Sequence, residues 1–530
     1  MALGKKLLVV ALATLVLQLD QVRAQQNYFV STAGSDSAGD GSSGNPWATI
    51  DYAIDAVPDN GSTILVRDGV YDGRTRIDRR LQQTLVIRAE NAYRARLQDG
   101  SSNQRVIAVF GGANFVLEGF EITRPSPAAT AALIVQIQQE SGVLAEDITL
   151  RHNIIHDSYN NDLLKINNGA RNVTVEGNLF YNQEGSDEHI DINGVEDVIV
   201  QDNIFFNDFA GSGRVNGNNT SSFIVIKNSA SLPFGGGSIV RRNVFLNWEG
   251  SAGSNFVLLG EDGQPFHEAE DVLVENNLMI GNAQNSMRSS FGVKGGKNIT
   301  FRNNTVTGDL PANAFAMRLN REGSNPVNED IRFYNNIWSD PTGTMSDFSD
   351  GSPSETTGEI LDNNVYWNDG QSIPTDGGVL NVTNDANAIV GDPALAAPDG
   401  VILPRWTGNA FISGSLSIRE EFERLARAYG TIGPNSVAID QSDPLHTPQD
   451  DILGRPRAGQ ADIGAYERDA DACDLNSDSI TDAADVQAAV DQALGLATCV
   501  SGDLTQEGVC NVVDVQRVVN AVLGNGCSVG

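Results

Sequence analysis

Nine copies of one short phrase recur between Asn114 and Asn364, and this repeat constrains the fold more than any other feature of the chain. Each copy has a polar residue, three or four apolar positions and a turn-like pair that usually ends in Asn. The copies read NFVLEGF, DITLRHN, NVTVEGN, DVIVQDN, SIVRRN, DVLVENN, NITFRNN, DIRFYNN and GEILDNN. Their terminal asparagines lie 25 to 40 residues apart, with no helical period between them. Such a repeat predicts a solenoid whose coils share one core.

A second apolar strand lies between successive phrases, with the copies LLKINN, HIDING, FIVIKN, FVLLG, FGVKG and FAMRLN. The phrases place β-branched or aromatic residues at alternating positions, as Val173 and Val175 show, which favours strands. We therefore expect two or three short strands per coil. The terminal asparagines are predicted to adopt left-handed backbone at tight corners and to hydrogen-bond to the next copy. They are Asn153, Asn178, Asn203, Asn243, Asn277, Asn304, Asn336 and Asn364.

These repeats resemble the right-handed parallel β-helix family that includes pectate-lyase-like and chondroitinase-B-like polysaccharide lyases. The stretch from Asn27 to Gly73 resembles the first coil of secreted β-helix proteins, in which residues 50–56 would form a sealing helix. The segments AIVGDPAL, VAID and ILGRPRAGQADIGAYE resemble their closing tail, which makes Arg455 and Asp462 structural. The resemblance implies an all-β, right-handed parallel β-helix over residues 25–470, with 390–468 as the closing region. It specifies the fold and leaves the reaction open.

The N-terminus and the charge restrict where this chain works. Residues 1–24 read as a signal peptide, because Lys5 and Lys6 precede a short apolar run and Ala24 offers a small-residue exit. That run is too short to span a bilayer. We therefore expect a secreted protein without a membrane partner, and an uncleaved anchor is the alternative. We also expect the protein to be monomeric. The net charge of −33 argues against a nucleic-acid partner. An anionic polysaccharide would need a local concentration of cations.

The last 60 residues form a separate small domain, residues 471–530, which holds all four cysteines. It contains two acidic loops, each followed by an amphipathic helical pattern. Both loops place ligands at the spacing of an EF-hand calcium loop, with one backbone carbonyl each. The first offers Asp474, Asn476, Asp478, Ile480, Asp482 and Asp485, and the second offers Asp503, Thr505, Glu507, Val509, Asn511 and Asp514.

This paired pattern is similar to type I dockerin domains, which attach secreted carbohydrate-active enzymes to cohesin receptors. The resemblance implies Ca²⁺ in both loops and a cohesin-type partner, although Thr505 and Glu507 replace the usual Asn and Asp. An even set of cysteines in an exported protein also predicts two disulfides. We favour Cys473 with Cys527 and Cys499 with Cys510. Other pairings stay open, and a cysteine-ligated metal lacks its CxxC spacing.

The densest charged group in the solenoid is DEHIDING. Alignment of the second strands by their apolar positions places Lys165 beside Asp191 and Asn167 beside Asn193. A lyase must acidify the proton next to a uronate carboxylate, which a bound cation promotes. We therefore predict Ca²⁺ at Asp187, Glu188, Asp191 and Asn193, with Lys165 as base. The remaining candidates are Arg318, Lys227, Lys294 and Asn167 for substrate binding, and His189 or Tyr159 as acid.

Other interpretations compete with this site. The pair of Lys165 and Asp191 also fits a solvated surface ion pair, and His189 fits an ordinary rim residue. Trp248, Trp338 and Trp367 follow repeat phrases and fit either a sugar groove or packing under a loop. Three functions remain: a Ca²⁺-dependent lyase of an acidic polysaccharide, a glycoside hydrolase that uses a carboxylate pair from the same cluster, and a noncatalytic carbohydrate-binding or adhesive solenoid.

Overall fold

A computed structural model describes residues 26–100, 104–126, 133–185, 187–232, 236–375, 379–457, 459–468, 472–476, 481–525 and 527. The predicted signal peptide lies outside these residues. Among them, no helix has the length and apolar character that a bilayer crossing demands.

Three parallel sheets, stacked coil upon coil, make up most of the described chain. Sheet 1 contains the repeat phrases, sheet 2 the second strands, and sheet 3 the strands that follow each terminal asparagine. Within the described residues the sheets have 13, 10 and 12 strands. Each strand pairs in parallel with the equivalent strand of the next coil, as Leu164–Asn167 does with Ile190–Asn193. The prediction of a parallel β-helix is confirmed.

The strands of sheet 1 are Asn27–Val30, Thr63–Val66, Arg80–Ala89, Ala113–Glu118, Glu146–Arg151, Arg171–Glu176, Glu196–Gln201, Ile239–Arg241, Ala269–Glu275, Gly296–Arg302, Asn328–Tyr334, Thr356–Thr357 and Ile360–Asp362. The strands of sheet 2 are Thr75–Ile77, Ile107–Phe110, Val135–Gln138, Leu164–Asn167, Ile190–Asn193, Ile224–Lys227, Asn255–Leu259, Ser289–Lys294, Met317–Asn320 and Ser349–Gly351. The strands of sheet 3 are Gly69–Asp72, Ala95–Gln98, Glu121–Thr123, Ile154–His156, Leu179–Tyr181, Ile204–Phe206, Val244–Phe245, Leu278–Gly281, Thr305–Gly308, Ile337–Asp340, Val365–Asn368 and Ile389–Val390.

Among the described residues, one helix precedes the repeat phrases and the other helices follow them. The helices are α1 (Ile50–Ala56), α2 (Ile418–Gly430), α3 (Ala483–Ala493) and α4 (Val512–Asn520), with a 3₁₀ turn at Val382–Asn384 and a π-helical turn at Ala521–Asn525. Helix α1 has the predicted bounds, and the Thr49 side chain caps it by accepting the N–H of Tyr52. Its buried Ile50, Ala53 and Ile54 join the main core, so this helix covers the first coil.

The terminal asparagines form a buried ladder along the solenoid. In each step the side-chain oxygen of one Asn accepts both the backbone N–H and the side-chain amide of the Asn on the preceding coil, at 2.8–3.1 Å. The last step ends on Asp385. The predicted bond to the next copy is confirmed. The predicted left-handed backbone belongs instead to the residue before each Asn, where φ is 49° to 63°.

Asn243 tests the ladder. Its side chain accepts from Asn203 at 3.0 Å and donates to Val200 O at 2.9 Å and to Asn277 at 3.0 Å. Asn243→Ala would leave several buried polar groups unpaired, so we expect a loss of roughly 3 kcal/mol of stability or more. The measurement is the melting temperature of the β-helix, with exposed Asn435→Ala as the control. Equal melting temperatures for the two variants would contradict a structural ladder.

The closing region covers the outer face of sheet 3. Trp406, Phe422 and Ile452 pack there against Ile204 and Leu278 in a second apolar cluster. The predicted structural role of Arg455 and Asp462 fits the contacts, because Arg455 pairs with buried Asp451 at 2.6 Å and the Asp462 carboxylate accepts two backbone N–H groups. Over these middle coils, the outer face of sheet 3 is therefore closed to a polymer.

The C-terminal segment has a small core of its own, formed by Cys473, Leu475, Ala489, Leu504 and Val518. Both favoured disulfides are present, Cys473 with Cys527 and Cys499 with Cys510, which excludes the other pairings and a cysteine-ligated metal. The calcium-loop candidates Asp478 and Ile480 lie outside the described residues.

Candidate functional site

The register of sheet 2 brings the predicted pair together. Lys165 aligns with Asp191 and Asn167 with Asn193 on adjacent coils. Their apolar neighbours, such as Ile166 and Ile192, point into the core, so the polar residues between them point outward. This alignment follows the prediction from the apolar pattern.

Three buried carboxylates meet beside this pair: Asp162, Glu188 and Asp191, of which none is more than 4% exposed. One oxygen from each lies within 4.8 Å of the others. We call these three residues the acidic triad. Asp162 Oδ1 accepts the backbone N–H of Glu188 at 2.9 Å, which fixes the two adjacent coils to each other. Oδ1 of Asp191 is buried and has no hydrogen-bond partner among the described residues.

Sequence reasoning missed Asp162. It lies three residues before Lys165, just as Glu188 lies three residues before Asp191. Extending the same strand alignment by two residues toward the N-terminus would have placed Asp162 beside Glu188. Of the four predicted metal ligands, Glu188 and Asp191 belong to the triad. Asn193 does not, because its amide group bonds to Ser229 at 2.7 and 3.0 Å.

The charges of the triad are poorly compensated. Burial and the neighbouring Asp162 raise the pKa of Glu188 well above its usual range. Burial and the neighbouring Asp191 raise the pKa of Asp162, although Lys165 opposes this. Nearby Asp187 has its pKa raised to about 6 by burial and by Asp162. Buried carboxylates at such distances need a cation or a proton between them.

Lys165 supplies one cation. Its ammonium contacts Asp191 Oδ2 and lies 3.2 Å from Asp162 Oδ2. Burial alone would lower the pKa of Lys165, but the two carboxylates outweigh it and raise that pKa. The interpretation as a solvated surface ion pair is wrong, because both acidic partners are almost completely buried.

Lys227 supplies a second amino group at the border of the triad. It aligns with Asn193 on the next coil, and its ammonium lies 2.5 Å from Glu261 and 3.4 Å from Asp262. Burial would lower its pKa, but Asp191 and Glu261 raise it.

The remaining substrate-binding candidates lie farther along sheet 2 or inside its network. Lys294 pairs with Glu322 at 3.2 Å, and Arg318 lies 3.6 Å from Asp350. Asn167 is 8% exposed and accepts a hydrogen bond from Gln136 at 3.2 Å. These three residues share a sheet with the triad without belonging to it.

His189 is the clear error among the predicted catalytic residues. Its side chain is fully buried, with ring centroids 4.3 Å from Phe223 and 6.2 Å from Phe205. Burial lowers its pKa to about 3, so the ring stays neutral and out of reach of a polymer. The alternation of side chains along a strand predicts that His189 points outward, as Asp191 does. The strand begins only at Ile190, however, and the preceding corner turns the His189 ring inward.

Three of the other aromatic candidates also make contacts within the protein. Tyr159 lies under the guanidinium of Arg214, at 4.1 Å from its ring centroid. Trp248 and Trp338 are at most 2% exposed and belong to the core, which makes the groove interpretation wrong for these two residues.

No protein-family model matches the sequence, and a search of curated proteins gave no significant match. Solved structures do resemble the fold. Pectate lyase Pel9A has a TM-score of 0.48 at 15% identity, covering 84% of this chain and 97% of its own. XylC in complex with xylose has a TM-score of 0.46 at 12% identity, covering 83% and 98%. The A-module of the Azotobacter vinelandii mannuronan C-5 epimerase AlgE4 has a TM-score of 0.42 at 14% identity, covering 65% and 95%.

Proposed function

We propose that this protein is a secreted polysaccharide lyase that cleaves a uronic-acid-containing polymer by β-elimination. The observation that carries the proposal is the acidic triad on the outer side of sheet 2, with the amino groups of Lys165 and Lys227 beside it. Elimination requires a cation at the uronate carboxylate and a base for the adjacent carbon-bound proton. Both can be supplied at this one location.

Calcium fits the donor set. The triad offers carboxylate oxygens, the ligands that Ca²⁺ prefers, and Oδ1 of Asp191 has no protein partner among the described residues. Asp187 adds a fourth carboxylate nearby. When bound, the ion would withdraw charge from the substrate carboxylate and so acidify the neighbouring C–H.

Lys165 is the proposed acceptor of the proton on the carbon next to the carboxylate. As that proton leaves, a C=C bond forms, the glycosidic C–O bond breaks, and the departing oxygen takes a proton from solvent. In the structure the ammonium of Lys165 is held by Asp162 and Asp191, which are the contacts that raise its pKa. A divalent cation on the same carboxylates would compete for these contacts and repel the ammonium, which favours the free amine that a base requires. Lys227 borders the triad without contacting Asp162, so it serves as the comparison residue.

The contacts of Lys165 favour a lyase over a glycoside hydrolase. A hydrolase places the scissile bond between two carboxylates. Here the ammonium of Lys165 contacts Asp162 and Asp191, two of the three triad residues.

The C-terminal domain is proposed to bind Ca²⁺ in two dockerin-like loops and to attach the enzyme to a cohesin-type receptor. The two loops share one supporting feature. Asp485 accepts the backbone N–H groups of Asn476 and Asp482, and Asp514 accepts those of Thr505 and Asn511, at 2.8–3.1 Å. In each loop a buried carboxylate at position 12 thus fixes positions 3 and 9.

Activity on purified glycans tests the proposal. We expect pectate, alginate or chondroitin to yield an unsaturated product with ultraviolet absorbance, and chelation to abolish that signal. Neutral glycans should give none. New reducing ends without absorbance would indicate a hydrolase, and retention on glycans without turnover would indicate a binding protein.

A further inference from the structure

Two arginines lie together on the outer side of sheet 2, away from the acidic triad. Arg288 contacts Asp350 Oδ2, and Nε of Arg318 lies 3.6 Å from the same oxygen. Each side chain is about one quarter exposed. The Nε atoms of both guanidinium groups are buried and lack a hydrogen-bond partner among the described residues.

The charges of this pair are not balanced by close contacts. Among the described residues, Asp350 is the one carboxylate within ion-pair distance of either arginine. Burial and the neighbouring Arg288 lower the pKa of Arg318, while Glu322 and Glu355 act on it only at longer range. Two partly exposed guanidinium groups that share a single carboxylate favour the binding of a further anion through their exposed N–H donors. This contrasts with the net charge of −33 for the whole chain.

The sheet register fixes the position of the pair relative to the triad. Asp191 aligns with Val225, Val225 with Leu258, Leu258 with Gly292, and Gly292 with Arg318. These four strand steps amount to about 19 Å at the usual strand spacing. The residues between Asp191 and Arg318 in this row carry no charge. An extended sugar residue is comparable in length to one strand step, so roughly four sugars would span the distance.

We propose that Arg288 and Arg318 form a second subsite, which binds a uronate carboxylate of the polymer about four sugars from the acidic triad. The substrate class in this inference rests on the proposed function. The subsite extends the prediction from the sequence that Arg318 binds substrate. A guanidinium group pairs with a planar carboxylate through two parallel N–H donors. The enzyme would therefore favour chains long enough to reach both places.

The test compares oligogalacturonates and oligomannuronates of three and seven residues. Calorimetry at saturating Ca²⁺ on protein that carries Lys165→Met measures their binding without turnover. With both arginines present, this protein should bind the seven-residue chain of its preferred series more tightly than the three-residue chain. Adding Arg288→Gln and Arg318→Gln should remove this difference, with affinity for the longer chain falling about tenfold or more. Arg332→Gln on sheet 1 is the control, since that residue lies on a different sheet.

Steady-state kinetics gives the second measurement. In the presence of Ca²⁺ the double variant Arg288→Gln/Arg318→Gln, with Lys165 intact, should raise KM for the seven-residue chain and leave kcat and the three-residue substrate nearly unchanged. Equal affinity for the two lengths with both arginines present, no binding of either series, or unchanged binding after both arginines are replaced would overturn the subsite. Length-dependent binding without cleavage would instead contradict the lyase and leave the subsite standing.

Discussion

Lys165→Met is expected to lower kcat on the preferred acidic polysaccharide by about 10²–10⁴-fold, the usual contribution of a general base. The variant keeps most of the side-chain volume and removes the amine that contacts Asp191. Initial rates of absorbance increase at saturating Ca²⁺ measure the effect. Because the amine also neutralises the triad, its loss should leave Ca²⁺ affinity unchanged or increased.

Lys227→Met is the matched control for this prediction. The residue lies on the next coil, and the ion pairs of its ammonium are with Glu261 and Asp262. We expect a change mainly in KM. If Lys227→Met lost most of its kcat while Lys165→Met stayed close to wild type, the base would be Lys227 and not Lys165. Melting temperatures of both variants at saturating Ca²⁺ would show that any loss is not due to unfolding.

Asp191→Asn is expected to remove one bound Ca²⁺ per chain and to reduce lyase activity to the level of the chelated protein. The substitution keeps the shape of the side chain, but it removes a negative charge next to Asp162 and Glu188. Wild type should also melt at a higher temperature with Ca²⁺ than with chelator, since ligand at 100 times its Kd stabilises a protein by about 2.7 kcal/mol.

Two further variants distinguish Ca²⁺ bound at the acidic triad from Ca²⁺ bound in the C-terminal loops. Asp503→Asn should lower Ca²⁺ stoichiometry without changing the rate of cleavage, because its carboxylate lies in the second loop. Asp55→Asn, on the exposed side of helix α1, should change neither quantity. An Asp191→Asn protein with full activity and unchanged Ca²⁺ stoichiometry would remove the acidic triad from the mechanism.

The parallel stacking explains which features could be predicted from the sequence. Equivalent strands pair residue for residue, so alignment of apolar positions placed Lys165 beside Asp191 and the asparagines on one line. Side-chain direction follows the period of two only within a strand. His189 lies at a corner, where that period does not apply, and its direction was mispredicted. Arg288 also lies before its strand, so alignment of the strands did not predict that it lies near Arg318. The loop that leads into Ser289–Lys294 brings the two residues together.

The most direct measurement of the central claim is a crystal structure of the chain grown with Ca²⁺. We expect an ion bound by Asp162, Glu188 and Asp191 at about 2.3–2.6 Å, with the ammonium of Lys165 displaced from its position between Asp162 and Asp191. An ammonium that remains between these two carboxylates, with no ion at the triad under millimolar Ca²⁺, would contradict the proposed metal-assisted elimination.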